Sequence, residues 1–167
     1  MDIESFREEQ LKYYNIEDYK PETLKMKNIN PEIIIPQLCF IVHYLNSKGY
    51  NLSHICMNDF EMTKYKEKDY VLLLKKDTHI YSIDSDGFYV YKKKEDNGIC
   101  FPYKTLQEGK RANITDTYAS VGLFVYYMFF KKVKNELSEK DYGKLVGTKP
   151  YYFIKNTMSA IPCLLYL

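Results

Sequence analysis

The stretch 115–135 reads TDTYASVGLFVYYMFFKKVKN, and its centre, VGLFVYYMFF, is apolar on nearly every side. A helix without a polar face has to be surrounded by other elements. The most apolar part, Tyr118 to Phe130, is 13 residues long, short of the ~20 needed to span a bilayer. It therefore predicts a helix inside a folded domain, with Thr115 or Asp116 able to cap its start.

The neighbouring elements follow from the same kind of reading. Pro31 can open a helix, where its missing N–H costs nothing. Ile34, Leu38, Ile41 and Leu45 then fall at i, i+4, i+7 and i+11, the spacing of a buried helical face. Gly49 closes that helix. Residues 50–63 look irregular, 64–69 (KYKEKD) form a charged turn, and Val71 to Leu74 suits a strand. In His79–Tyr91, two β-prone runs flank Asp84-Ser-Asp-Gly87, a hairpin signal. Lys92 to Lys94 end it as a solvated edge. Ser138 and Asp141 resemble a capping box opening a short helix, and the apolar tail from Tyr151 to Leu167 is expected to be helical. Residues 1–30 form a polar arm with a thin apolar stripe of Phe6, Leu11 and Tyr14, broken by Pro21.

Composition bounds the function. The 167 residues are 46% hydrophobic with a net charge of only +2, so a real core is available and a dedicated nucleic-acid binder is not indicated. Arginine occurs only at Arg7 and Arg111, tyrosine 18 times and tryptophan never. That bias is the mark of an A/T-rich genome, such as a large DNA virus, a protist, a microsporidian or a low-GC bacterium. The lysine runs are then as readily codon drift as a binding surface. The charged N-terminus, MDIESFREEQ, contains no secretory h-region. An intracellular, cytoplasmic location is expected, with Cys39, Cys56, Cys100 and Cys163 reduced rather than forming a disulfide framework.

Few residues carry candidate chemistry. In EF-hand register, Ser82, Asp84, Asp86 and Gly87 fit the early positions, but position twelve is Lys93, which repels calcium. His43, His54 and His79 with Cys56 match no zinc-ligand spacing. A Cys–His nucleophile has no local support. Most tyrosines sit in apolar patterns, which argues against a stacking platform for single-stranded nucleic acid.

Taken in order, the elements resemble the C-terminal lobe of protein kinases. IIIPQLCFIVHYLNSKG, ending Tyr44-Leu-Asn-Ser-Lys-Gly49, is similar to the kinase helix that ends in Tyr-Leu-His-x-x-Gly. The segment Gly49 to Asp59 stands in the register of the catalytic loop. Asp116-Thr-Tyr118-Ala-Ser-Val-Gly122 resembles the D-x-Y-S-x-G opening of the central kinase helix, with one extra residue. The resemblance covers about residues 31–160. It implies an α+β, mainly helical fold with a small β-hairpin region: an arm over 1–30 and a kinase C-lobe-like domain over 31–167.

The departures bear on activity. His54 stands at the catalytic-base position, Cys56 at the lysine position and Asp59 at the metal-binding Asn position; no Phe-Gly follows Asp84 or Asp86. About thirty residues precede the first lobe helix, with no Gly-rich loop and no ATP-positioning lysine. Phosphoryl transfer needs positioned phosphates, a metal and an oriented nucleophile together. The resemblance thus implies a reduced pseudokinase, not an enzyme, with no catalytic, cofactor or metal residues assigned. The expected role is a protein-interaction or structural module in a larger assembly, such as a virion or ribonucleoprotein particle. Its expected protein-partner surfaces are Phe6, Leu11 and Tyr14 of the arm, and Leu164, Leu165, Tyr166 and Leu167 at the C-terminus. No membrane contact is expected. The alternatives are nucleic-acid binding and a metal-dependent enzyme using Asp84 and Asp86.

Overall fold

A computed structural model of the chain describes residues 2–17, 22–23, 30–66, 69–93 and 98–159. In chain order the elements are α1 (Ile3–Tyr13), β1 (Glu22–Thr23), α2 (Pro31–Ser47), β2 (Tyr50–Asn51), β3 (Phe60–Lys66), β4 (Asp69–Leu74), β5 (Tyr81–Ser82), β6 (Phe88–Val90), β7 (Arg111–Asn113), α3 (Ile114–Phe130) and α4 (Lys149–Met158). Short 3₁₀ turns interrupt the connections at Met57–Asp59, Glu139–Asp141 and Gly143–Leu145. This is an α+β fold, mainly helical. No described helix is long and apolar enough to cross a membrane.

The apolar stretch VGLFVYYMFF lies in α3, and every residue from Thr117 to Tyr126 is buried. Its cap is Asn113, whose side chain accepts from the Thr115 N–H, while Asp116 accepts from the Asn113 N–H at 3.3 Å to complete a capping box. The helix expected from about Thr115 to Asn135 stops at Phe130, because Lys131 turns left-handed at φ 56°. The KKVK run beyond it buries no apolar side chain, Val133 being 57% exposed, and gains little by staying helical.

α2 has the bounds its sequence predicts, and Ile34, Leu38, Ile41 and Leu45 are all buried. Gly49 follows it at φ 84°, a conformation that favours glycine. α2 and α3 share one core with β3 and β4, which pair as an antiparallel hairpin from Phe60↔Leu74 to Lys66↔Asp69. β1 extends this sheet to three strands. The region read as irregular thus contains a strand, with Phe60, Met62 and Thr63 buried.

The arm belongs to the same core. Ile3 and Phe6 of α1 are buried in it, and the Phe6 ring stacks on Tyr44 of α2 with centroids 4.4 Å apart. Arg7, also buried, donates to the Glu61 carboxylate and, at 2.7 Å, to the Leu74 carbonyl.

The Asp84–Gly87 turn forms, but it does not join two strands that pair with each other. β5 pairs with β2, and β6 pairs with β7. Asp-Gly fixes the local reversal; the partners are chosen by burial of Tyr81, Tyr89 and Tyr91, which form a second small core with Ala112. Ser138 and Asp141 do make their capping box, around a single 3₁₀ turn instead of a helix. α4 realises the first part of the apolar tail. Residues 160–167, and with them Leu164, Leu165, Tyr166 and Leu167, lie outside the described residues.

Candidate functional site

Two polar residues interrupt the apolar face of α3 at i and i+3, Thr117 and Ser120, both fully buried. A buried hydroxyl must find partners, and these two find the segment that follows β2. The Thr117 hydroxyl donates to the Ser53 carbonyl at 2.8 Å and accepts from the Asn51 side-chain amide at 2.8 Å. The Ile55 N–H donates to the Ser120 hydroxyl at 2.8 Å, and that hydroxyl donates onward to the Phe101 carbonyl. Ser53 is held at φ 74°, in the left-handed region, and the Tyr89 hydroxyl donates to its Oγ at 3.1 Å. Burial pushes the Tyr89 phenol up to about 12, against the opposing pull of its bond to Ser53.

Sequence reasoning missed Asn51, Ser53, Thr117 and Ser120. Their signal was present in the two hydroxyls one turn apart in an otherwise apolar helix.

Beyond Ser53 the segment runs antiparallel to residues 99–101. Met57 N–H donates to the Ile99 carbonyl at 2.9 Å and Phe101 N–H to the Ile55 carbonyl at 2.8 Å. Those bonds flank Cys56 and Cys100, which makes them a non-hydrogen-bonded pair, the arrangement that brings side chains closest. Their Cα atoms are 4.0 Å apart and their sulfurs are joined in a disulfide. This departs from the expectation of reduced, unpaired cysteines, because no local spacing announces a pairing across 44 residues. Cys39 instead lies buried in α2.

His54, 2% exposed, sits two residues before Cys56, just after the bend at Ser53. A ring nitrogen of His54 and both sulfurs lie within 4.8 Å of one another. Its ring meets Tyr91 edge-on, with centroids 6.0 Å apart. The structure therefore joins His54 and Cys56 to Cys100; His43 and His79 belong to no such grouping among the described residues. Asp59, 8% exposed, ends the segment. Its backbone N–H is bonded to the Cys56 carbonyl, and its own carbonyl accepts from the Lys75 N–H at 2.9 Å.

Asp84 and Asp86 occupy an exposed turn. One Asp84 oxygen accepts from the Asp86 and Phe88 N–H groups at 2.9 and 3.0 Å, and the other pairs with Arg111 at 3.3 Å. Those backbone bonds, helped by Arg111, hold its carboxyl below the usual range. The turn is thus self-contained, with Arg111 also lying over the Phe88 ring at 3.9 Å. Lys92 and Lys93 are exposed, whereas Tyr81, Tyr89 and Tyr91 beside them face each other inside the small core.

The arm forms one wall of a groove of about 600 Å³, lined by Phe6, Glu9, Gln10, Tyr13, Tyr14, Pro36, Gln37, Phe40 and Tyr44. Tyr13 is 78% exposed and Phe40 54%. Of the expected arm contacts, Phe6 forms the buried floor, Tyr14 lines the groove, and Leu11 is half-buried in α1.

Comparison with protein-family models finds no family that this sequence matches, and comparison with curated proteins finds no similar sequence.

Proposed function

We propose that the chain is a non-catalytic protein-interaction module built on a reduced, kinase C-lobe-like scaffold, docking through the groove between α1 and α2. The observation that carries the reading is the use made of residues 51–59. In the kinase register this segment presents a base and a metal ligand to substrate. Here His54 is buried beside a disulfide, Cys56 is in that disulfide, and α3 grips the backbone through Thr117 and Ser120. Groups spent in this way are unsuited to positioning a nucleotide. The burial of α3 from Thr117 to Tyr126 and its hold on this segment support the scaffold assignment.

The groove supports the interaction reading. An exposed aromatic pair over an apolar floor is costly to leave in water and is the usual form of a binding anchor. Glu9 lies in its lining, and Glu8 is exposed beside it on α1. The partner surface is accordingly an apolar anchor flanked by a lysine or arginine. The test is a pull-down with the tagged full chain from its native source, washed at rising salt. A stoichiometric protein partner should survive, be lost with Phe40→Glu, and be retained with Val90→Glu on another exposed site. Equal retention by both variants, or recovery of nucleic acid alone, would refute the docking face.

A further inference from the structure

We infer that His54, Cys56 and Cys100 form a zinc site when the two cysteines are reduced. His54 follows the bend at Ser53, two residues before Cys56, and its ring lies beside the sulfur. Cys100 stands directly opposite Cys56 across the antiparallel pairing. One imidazole and two sulfurs therefore converge, all within 4.8 Å. Ligand atoms around a tetrahedral zinc ion lie about 3.5–3.8 Å apart, given Zn–N and Zn–S distances near 2.0 and 2.3 Å. On reduction the two sulfurs, bonded to each other in the disulfide, part from one another to reach that spacing, with the ring nitrogen already beside them.

Charge selects the ion. Two thiolates and a neutral imidazole carry −2, which a divalent cation cancels, so the occupied site is neutral. Burial of His54 and Cys56 at 2% and 1% exposure then carries no net-charge penalty. A monovalent copper ion would leave one negative charge uncompensated. Sulfur and imidazole ligands in turn disfavour magnesium and calcium. Cys100 provides the way in. It is half-buried and lines a cleft with Pro102 and the 133–141 segment, which leaves the fourth coordination position to water.

The ion and the disulfide are alternatives on the same two sulfurs. Each staples residues 52–57 to 98–101, so the packing beneath α3 is kept in either state. The ligand spacing, H-x-C and then a cysteine 44 residues on, has no compact signature, which explains its invisibility in the sequence. This inference stands apart from the docking proposal, since no groove residue takes part.

The test uses the full chain in two preparations, oxidised and phosphine-reduced, each dialysed against zinc and assayed for bound metal. The reduced chain should hold one zinc per molecule and the oxidised chain none. Cobalt in place of zinc should give a sulfur-to-cobalt charge-transfer band and the intense visible bands of tetrahedral coordination. Cys100→Ser should abolish binding; His54→Ala should weaken it at least about a hundredfold, since even partners one shell further out are worth roughly ten- to a hundredfold. A Cys39→Ser, Cys163→Ser double variant should bind as the parent does. The inference fails if the reduced chain binds no zinc, if the oxidised chain binds as much, or if Cys100→Ser still binds one. The first two results come from the unmutated chain, so misfolding of a variant cannot hide the answer.

Discussion

Gly122 offers a quantitative test of the packing that encloses α3. A Cβ built on Gly122 would lie 2.2 Å from Thr157 Oγ1 on α4, 3.4 Å from Thr157 Cβ and 3.5 Å from Met158 Sδ. On an exposed helix, Gly→Ala stabilises by about 1 kcal/mol. Here the methyl collides with a side chain only 1% exposed, and overpacking of that kind costs about 1–3 kcal/mol. Turning the hydroxyl aside also breaks its 3.0 Å bond to the Ile154 carbonyl, worth roughly 1 kcal/mol.

The clash and the lost bond outweigh the propensity gain. Gly122→Ala should be destabilising by about 1–3 kcal/mol, which in a chain of this size lowers Tm by roughly 2–12 °C. Thr157→Ala alone should cost about 1 kcal/mol by leaving a void. In the double variant the new methyl enters that void, so the two costs should not add; a favourable coupling of about 2 kcal/mol is expected. Urea denaturation of the four proteins measures it. A stabilising Gly122→Ala, or strict additivity in the double variant, would refute the close packing of α3 on α4.

Other consequences are as direct. Ser120→Ala should cost about 1–3 kcal/mol in denaturant titrations, because it strands the buried Ile55 N–H. Arg7→Met should destabilise by about 3–5 kcal/mol, the usual result of breaking one side of a buried pair, and hydrogen exchange should report the loss first in α1. Asp141 sits at about 2, held down mainly by Lys134 and then by the Ser138 N–H. Its folded value lies below its unfolded one, so its contribution is complete above about pH 4 and disappears as pH falls towards 2. Asp141→Asn should remove that contribution at neutral pH and flatten the acid limb of a stability–pH profile.

What the sequence made legible follows the range of the forces involved. α2 could be read to its ends because a proline, an apolar face and a glycine all act within a few residues. The interior of α3 was equally plain, since its apolar girdle has one interpretation. Its cap is Asn113 and not Thr115 or Asp116, which lie within the first turn of a helix that begins at Ile114. The Asp84–Gly87 reversal was legible as a turn, but strand pairing depends on burial of Tyr81 and Tyr89 against distant neighbours. Phe6 belonged visibly to an apolar stripe, yet its contact with Tyr44 joins residues far apart in the chain. The meeting of His54, Cys56 and Cys100 is of the same non-local kind.

The central claim is that residues 51–59 serve the scaffold instead of a nucleotide. Calorimetric titration of the full chain with magnesium and ATP tests it most directly. No saturable heat is predicted, for the parent chain or for Asp59→Asn. A one-to-one isotherm that Asp59→Asn weakens would contradict the account and return the segment to catalysis.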